Sequence, residues 1–445
     1  MHTCGYPGRL YLKEELINVN GFESQKAIAK KNKHLRCVRC GNTSLEKFGF
    51  MPCLHCGQEH CPYCRNCLIM GKLTGCTSLF YKKPLPLLPK KDKLLLWPGN
   101  LSHGQKKGSE AVIRAVEEKI NLLLWAVAGA GKTEMMFSGM ELALQKGERI
   151  CLASPRVDVC IELFPRLQEV FPAEKLVCLY GDSEHVFEGE HFVIATTHQL
   201  IRFQGYFDTI FIDEVDAFPY AKDPLLEYAV NKAMKARNTQ IYITATPDVN
   251  WQKECLRGNR NFVKIPARYH RFSLPVPRVV WLQKWEEKVS QGKPIKTIIK
   301  WIDEKRNQNL SMLIFFPRID RMLSFAKMLQ EKFTYNIATV HAADPKRKEK
   351  VMALRDGQIN ILLTTTILER GITIENIQVA VFGAEHQVFT EAALVQIAGR
   401  VGRKKDFPTG DVCFFCHGKT RSIKKAIRHI QEMNRLGKSE GLLDG

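Results

Sequence analysis

The stretch "AVAGAGKT" at residues 126–133 follows an apolar run and precedes a helical pattern, "EMMFSGMELALQKG". A glycine-rich turn between a strand and a helix lets backbone N–H groups close around phosphates at the helix N-terminus. In that reading Ala128, Gly129, Ala130, Gly131, Lys132 and Thr133 cradle a nucleotide. The Lys132 ammonium would reach the β- and γ-phosphates and the Thr133 hydroxyl would coordinate Mg2+. The usual pattern has Gly where this chain has Ala126, and the strand–loop–helix context restores the weight that this difference removes. Further on, "TIFIDEVD" is an apolar strand ending in Asp213 and Glu214, which brings two carboxylates to the carboxyl edge of a sheet. Asp213 suits the magnesium shell, and Glu214 suits the orientation and deprotonation of an attacking water. Arg400 and Arg403 in "QIAGRVGR" (396–403) are expected at the start of a helical turn with both guanidiniums on one face. Such groups match the spread charge of a phosphoryl transition state. The chemistry indicated is ATP hydrolysis with Mg2+.

A second set of residues points to a metal. Seven of the chain's 15 cysteines fall in "CVRCGNTSLEKFGFMPCLHCGQEHCPYCRNC" at 37–67. Cys37-x-x-Cys40-Gly and Cys53-x-x-Cys56-Gly have the form of zinc knuckles, each aiming two thiolates at one tetrahedral ion. A redox role suits a single Cys-x-x-Cys, whereas linked ones in a reducing compartment favour structural zinc. Two partitions are open. A simple ribbon uses Cys37, Cys40, Cys53 and Cys56 and strands Cys61, Cys64 and Cys67. The alternative joins Cys37 and Cys40 with Cys64 and Cys67, leaving Cys53, Cys56 and Cys61 for a second zinc with Cys76 or His60. The second is favoured because it strands no cysteine, so one or two ions are expected. "CFFCH" at 413–417 matches a haem-attachment pattern, but it alternates like a buried strand and reads as core.

The elements that must position these groups follow from the rest of the chain. At 445 residues and 45 % apolar composition, the protein can build two or three cored domains. No run approaches the roughly 18 apolar residues of a membrane span, and the N-terminus lacks a signal-peptide pattern. A cytoplasmic protein with reduced thiols is expected. A net charge of +20 points to a polyanionic partner, most simply nucleic acid, with basic clusters at 82–93, 345–350 and 419–430. Residues 1–80 hold the cysteine cluster, and 81–99, rich in Pro and Lys, reads as a linker. Short apolar runs alternate with helical patterns over 100–267 and again over 291–445, with a proline-rich joint at 268–290. That alternation predicts an α/β fold of two tandem RecA-like parallel-sheet domains behind a small zinc-binding region. The arginines of the second unit would reach nucleotide only when the two units close, which ties hydrolysis to motion.

The ordered set "AGAGKT", "SPR", "TTHQL", "DEVD", "TATP", "IFFP", "TTTILERGIT" and "QIAGRVGR" resembles the superfamily 2 DEAD/DEAH-type helicases over residues 100–435. With "WPGNLSHGQ", "SPRVDVCIELFPR", "DEVDAFPY" and the preceding cysteine cluster, the chain is more closely similar to the ComFA-type competence helicases of Gram-positive bacteria. The resemblance implies an ATP-driven motor on single-stranded DNA that helps bring transforming DNA into the cytoplasm. It implies that Gln105 reads the adenine edge, that Gly371 belongs to the nucleotide site, and that Arg156, Thr197, His198, Thr365 and Thr366 lie along the DNA track. It further implies a ComFC-like phosphoribosyltransferase-type protein and other uptake components as partners, attachment through them to the inner membrane face, and leaves homo-oligomerisation open. Replication-restart helicases of the PriA type carry their cysteines within the second half of the motor, whereas this cluster precedes the phosphate loop. A nucleic-acid-binding scaffold with an inactive ATPase fold would not need Lys132, Asp213, Glu214, Arg400 and Arg403 intact.

Overall fold

A computed structural model of the chain describes residues 3–31, 34–87, 89, 92–370 and 374–444. The cysteine-rich region is built from short antiparallel strands. β1 (Tyr11–Leu12), β2 (Glu23–Lys26) and β7 (Ser78–Tyr81) form a sheet in the order β1-β7-β2. β3 (Ile28–Lys31) pairs with β4 (His34–Cys37), and β5 (Phe48–Met51) pairs with β6 (Cys61–Cys64). The core of this region mixes Leu10, Ala27, Ile28, Leu35, Phe48, Leu73 and Leu79 with Cys37, Cys40, Cys64 and Cys67. A core with so few apolar side chains needs a covalent or metal staple to hold a fold.

The nucleotide-type motifs rest on a seven-stranded sheet made of β8 (Leu122–Ala126), β9 (Ile150–Ser154), β10 (Leu176–Leu179), β11 (Phe192–Thr196), β12 (Phe207–Asp213), β13 (Met234–Thr244) and β14 (Phe262–Ile265), in the order β10-β11-β9-β12-β13-β8-β14. The pairs from β10 through β13 are parallel. Every residue of β8, β9, β10 and β11 is buried. That is why these strands read in the sequence as continuous apolar runs rather than as alternation. Helices α1 (His103–Glu118), α2 (Lys132–Gln145), α3 (Val157–Val170) and α4 (Pro224–Ala233) connect and cover them.

A second, six-stranded sheet has the order β15-β20-β19-β16-β18-β17, all pairs parallel. Its strands are β15 (Arg278–Trp281), β16 (Met312–Phe315), β17 (Ile337–Val340), β18 (Ile361–Thr364), β19 (Gln378–Phe382) and β20 (Val412–Cys416). Cys413 and Cys416 are fully buried in β20, so the cysteines of "CFFCH" are core, as expected, while His417 just past the strand is exposed. The chain divides into two compact units. One comprises residues up to Asn100, Ser109–Leu124 and Met135–Val263; the other comprises Leu101–Gly108, Trp125–Glu134 and the chain from Lys264 onward. Among the described residues no helix is long and apolar enough to cross a membrane.

Candidate nucleotide site and metal centres

The glycine-rich loop leaves β8 and enters α2 at Lys132, so the unpaired N–H groups of the first helical turn face whatever the loop encloses. Gly129 and Gly131 adopt φ of 82° and 76°, a region costly for any residue with a Cβ. At Gly131 a Cβ would also collide with the Gln105 amide. Gln105 belongs to a capping box at the start of α1: its backbone N–H donates to Ser102 Oγ at 3.3 Å, and the Ser102 N–H donates to Gln105 Oε1 at 2.9 Å. Its Nε2 lies 3.5 Å from the Gly131 carbonyl oxygen. The residue that the resemblance assigns to adenine is therefore built into the floor of the loop, with one N–H and one lone pair left over. The other calls at this loop, Ala128 and Ala130, are buried, while Lys132 and Thr133 are partly exposed.

β12 ends at Asp213, and Glu214 follows it with φ of 57°. A non-glycine residue held there stores about 1–3 kcal/mol, a cost that concentrates at functional positions. The Glu214 N–H donates to Asp213 Oδ1 at 2.8 Å, and Arg156 Nε lies 3.5 Å from Glu214 Oε2. The same turn carries Asp216, a residue the sequence reading passed over. Its two carboxylate oxygens accept the hydroxyls of Thr244 and Thr246 at 2.7 and 2.6 Å, and so lock the "DEVD" turn to the "TATP" end of β13. The visible signal was that both motifs end strands of one sheet. Asp216→Ala would leave two enclosed hydroxyls without their acceptor. We expect a loss of about 2–4 kcal/mol, read as a lower melting temperature; an unchanged melting curve refutes the lock.

Thr197 is fully buried and donates its N–H to the Ser154 carbonyl at 3.0 Å, next to the "SPR" segment, whereas His198 is exposed. Thr365 and Thr366 are partly exposed just past β18. Gly371 lies outside the described residues. Arg400 and Arg403 do not start a helical turn. They follow the helix Glu391–Ala398, in a turn created by Gly399 and by Gly402 at φ of 70°. Arg400 is buried, its Nε donating to the Glu369 carbonyl at 3.0 Å, and Arg403 Nε donates to the Gly399 carbonyl at 2.9 Å.

The cysteines fall into two sets of four, Cys37/Cys40/Cys64/Cys67 and Cys53/Cys56/Cys61/Cys76, with the sulfurs of each set within 4.8 Å of one another. Cys37–Cys67 and Cys40–Cys64 are 3.7 and 3.5 Å apart, and Cys53–Cys76 3.5 Å. These distances are far beyond a disulfide bond of about 2.05 Å, and close to the roughly 3.8 Å edge of a tetrahedron with zinc–sulfur bonds of about 2.3 Å. Both sets fit zinc. The grouping is the partition that strands no cysteine, with Cys76 as fourth member and exposed His60 outside it. The Tyr63–Thr74 bridge brings Cys76 in. The first set is fully buried, whereas Cys56 of the second is exposed.

The first knuckle is clamped to α4. Tyr228 Oη donates to the Val38 carbonyl at 2.9 Å, and Lys232 Nζ donates to the Arg39 carbonyl at 2.8 Å. A Cβ at Gly41 would come within 2.5 Å of the Tyr228 ring, which explains the glycine after the second cysteine. Arg39 is itself buried and donates to the carbonyls of Met70, Cys67 and Gly71, folding the two halves of the cluster together. Desolvation pulls the Lys232 ammonium down to about 7, opposed by the nearby Cys37 sulfur.

Comparison with known proteins agrees with this geometry. Residues 11–81 match the competence protein ComFA N-terminal domain, 99–249 the type III restriction enzyme res subunit, and 293–405 the helicase conserved C-terminal domain. The chain is 43 % identical over 94 % of its length to competence protein ComFA of Bacillus subtilis, covering 89 % of that protein. It is 39 % identical over 97 % of its length to competence protein ComFA of Streptococcus pneumoniae, covering 98 % of it. In fold it resembles S. cerevisiae Dbp5 bound to RNA and ADP BeF3, with TM-score 0.52 and 15 % identity over 75 % of this chain and 92 % of that one.

Proposed function

Because this chain belongs to the ComFA family of competence proteins, an ATP-hydrolysing helicase-type family, we propose that it is a motor that moves along single-stranded DNA and helps draw transforming DNA into the cell. The observation that carries this reading is the loop at 126–133, where two left-handed glycines turn backbone N–H groups onto the first turn of α2. Lys132 holds the β- and γ-phosphates; Thr133 and Asp213 are the residues that would hold Mg2+. A Mg2+ held there would supply Lewis-acid charge that offsets the negative charge developing on the phosphates. Glu214, fixed by its left-handed backbone, orients the attacking water and takes its proton. Arg400 and Arg403 balance the transition-state charge.

The ion pair between Arg156 and Glu214 supplies a route from DNA to hydrolysis. A DNA phosphate that draws on Arg156 leaves the Glu214 carboxylate available to water. A motor must pass over any sequence, so its DNA contacts are to phosphates rather than bases. ComFC-like and other uptake proteins are the proposed partners, working with this chain on the cytoplasmic side of the membrane.

The test is ATP turnover with and without single-stranded oligonucleotides. We expect stimulation of about tenfold or more by DNA of any sequence, falling steeply with added salt as counterion release requires. Arg156→Ala should lose most of the stimulation. Equal rates with and without DNA, or a sharp preference for one sequence at equal length, refute the proposal.

A further inference from the structure

Arg268, in the proline-rich joint, is 1 % exposed, and among the described residues its hydrogen-bond partners are all main-chain carbonyls. Its Nε donates to Ala128 O of the glycine-rich loop at 3.2 Å, its Nη2 to Gly399 O at 3.2 Å, and its Nη1 to Gly402 O. The flanking residues repeat the pattern. The Tyr269 N–H donates to Gly129 O at 3.3 Å, and His270 Nε2 lies 2.9 Å from Gly402 O. The two segments also touch directly, for a Cβ at Gly399 would fall 2.5 Å from the Ala128 Cβ.

A buried guanidinium is costly unless its donors are matched, and a planar fork can serve several fixed acceptors at once where an ammonium cannot. Burial lowers the Arg268 pKa to about 9, helped by the charge of Arg403, so the group stays protonated at neutral pH. One of the carbonyls it binds is that of Gly399, the C-cap of the helix Glu391–Ala398, where the backbone dipole favours a cation. No carboxylate offsets the charge in this set of contacts. The residue is held by the shape of two turns.

We propose that Arg268 is a positioning residue for ATP hydrolysis: it ties the phosphate-holding loop at 126–133 to the turn that carries Arg400 and Arg403, so that both are set by one side chain. The inference rests on the assignment of this loop and these arginines to ATP. Arg268 acts through Arg403 and the loop, and is placed on neither substrate nor metal.

Two substitutions test it. R268K keeps the charge and loses the fork, while G399A keeps Arg268 and wedges the two segments apart. In the nucleotide-free protein, R268K should raise amide hydrogen exchange in 126–133 and 399–403 together, a readout that needs no turnover. A change confined to one segment overturns the tie. With ATP and single-stranded DNA, both variants should lose about tenfold or more in kcat, with KM for ATP changed by no more than about threefold. In an R403A background R268K should add less than about a threefold further loss, because both act on one turn. Additive losses, or a lower melting temperature with kcat per folded molecule unchanged, overturn the positioning role. Wild-type protein that exchanges as described yet hydrolyses no ATP would count against the proposed function while supporting the tie.

Discussion

Lys132→Ala and Glu214→Gln should each lower ATP turnover by about 100-fold or more, while affinity for single-stranded DNA should change little or rise. The size of the effect follows from what each change removes. Lys132 begins α2, and its side chain is the one cation carried by the 126–133 loop. Replacing it would delete the charge assigned above to the phosphates, whose negative charge is redistributed in the transition state. Glu214→Gln preserves volume and the left-handed backbone, so it removes the base with little change in shape. The Gln variant also loses the ion pair with Arg156, which leaves that guanidinium for DNA. DNA affinity should therefore hold or rise in Glu214→Gln and stay level in Lys132→Ala. Fluorescence anisotropy with labelled oligonucleotide, read beside phosphate release, separates the two properties. A variant that retains more than a tenth of wild-type turnover refutes the assigned role.

What the sequence revealed and what it hid have physical reasons. The glycine loop and acid pair were legible because the strands that lead into them, "LLLWA" and "TIFID", are buried apolar runs that end abruptly at a glycine turn or an acidic residue. The cysteine spacing announced metal but left the partition open, because both ring closures satisfy a tetrahedron. Choosing between them depends on the antiparallel register of Phe48–Met51 with Cys61–Cys64 and on the distant Tyr63–Thr74 bridge. Arg400 and Arg403 are expected from the sequence to start a helical turn and instead follow one, since Gly399 and Gly402 shape the turn just before and between them. Arg268 carries no local signal. It sits in a joint with no periodicity, and its meaning comes from carbonyls more than 120 residues away in the chain. Asp216 gives no signal of its role within "DEVD", because a carboxylate that holds hydroxyls looks in sequence like one that faces water.

Purified protein should carry two zinc ions per chain, and Cys37→Ala/Cys40→Ala should remove one of them together with the fold of the N-terminal region. Structural zinc contributes on the order of 10 kcal/mol or more to small domains. Here four of the eleven residues of the local buried core are the cysteines that would ligate it. Cys53→Ser/Cys56→Ser should also lose one ion but unfold less, because Cys53 is only partly buried, Cys56 is exposed, and neither belongs to that buried core. A motor preceded by a linker at 81–99 would feel neither change. The structure adds a cost, since the first knuckle accepts hydrogen bonds from Tyr228 and Lys232 of α4. Losing it removes two hydrogen bonds and leaves the Tyr228 hydroxyl without its acceptor, about 1–3 kcal/mol, which lowers the melting temperature of the rest by about 5 °C or more. Basal ATPase measured well below that temperature should keep most of its rate, because no ligand cysteine contributes to the loop, the acid pair or the arginine turn. Cys53→Ser/Cys56→Ser should leave the melting temperature within about 2 °C of wild type. Metal analysis that finds no zinc in wild-type protein refutes the metal assignment. Equal melting temperatures for wild type and Cys37→Ala/Cys40→Ala refute the clamp on α4, and complete loss of basal ATPase in a folded double mutant refutes the independence of the motor's chemistry.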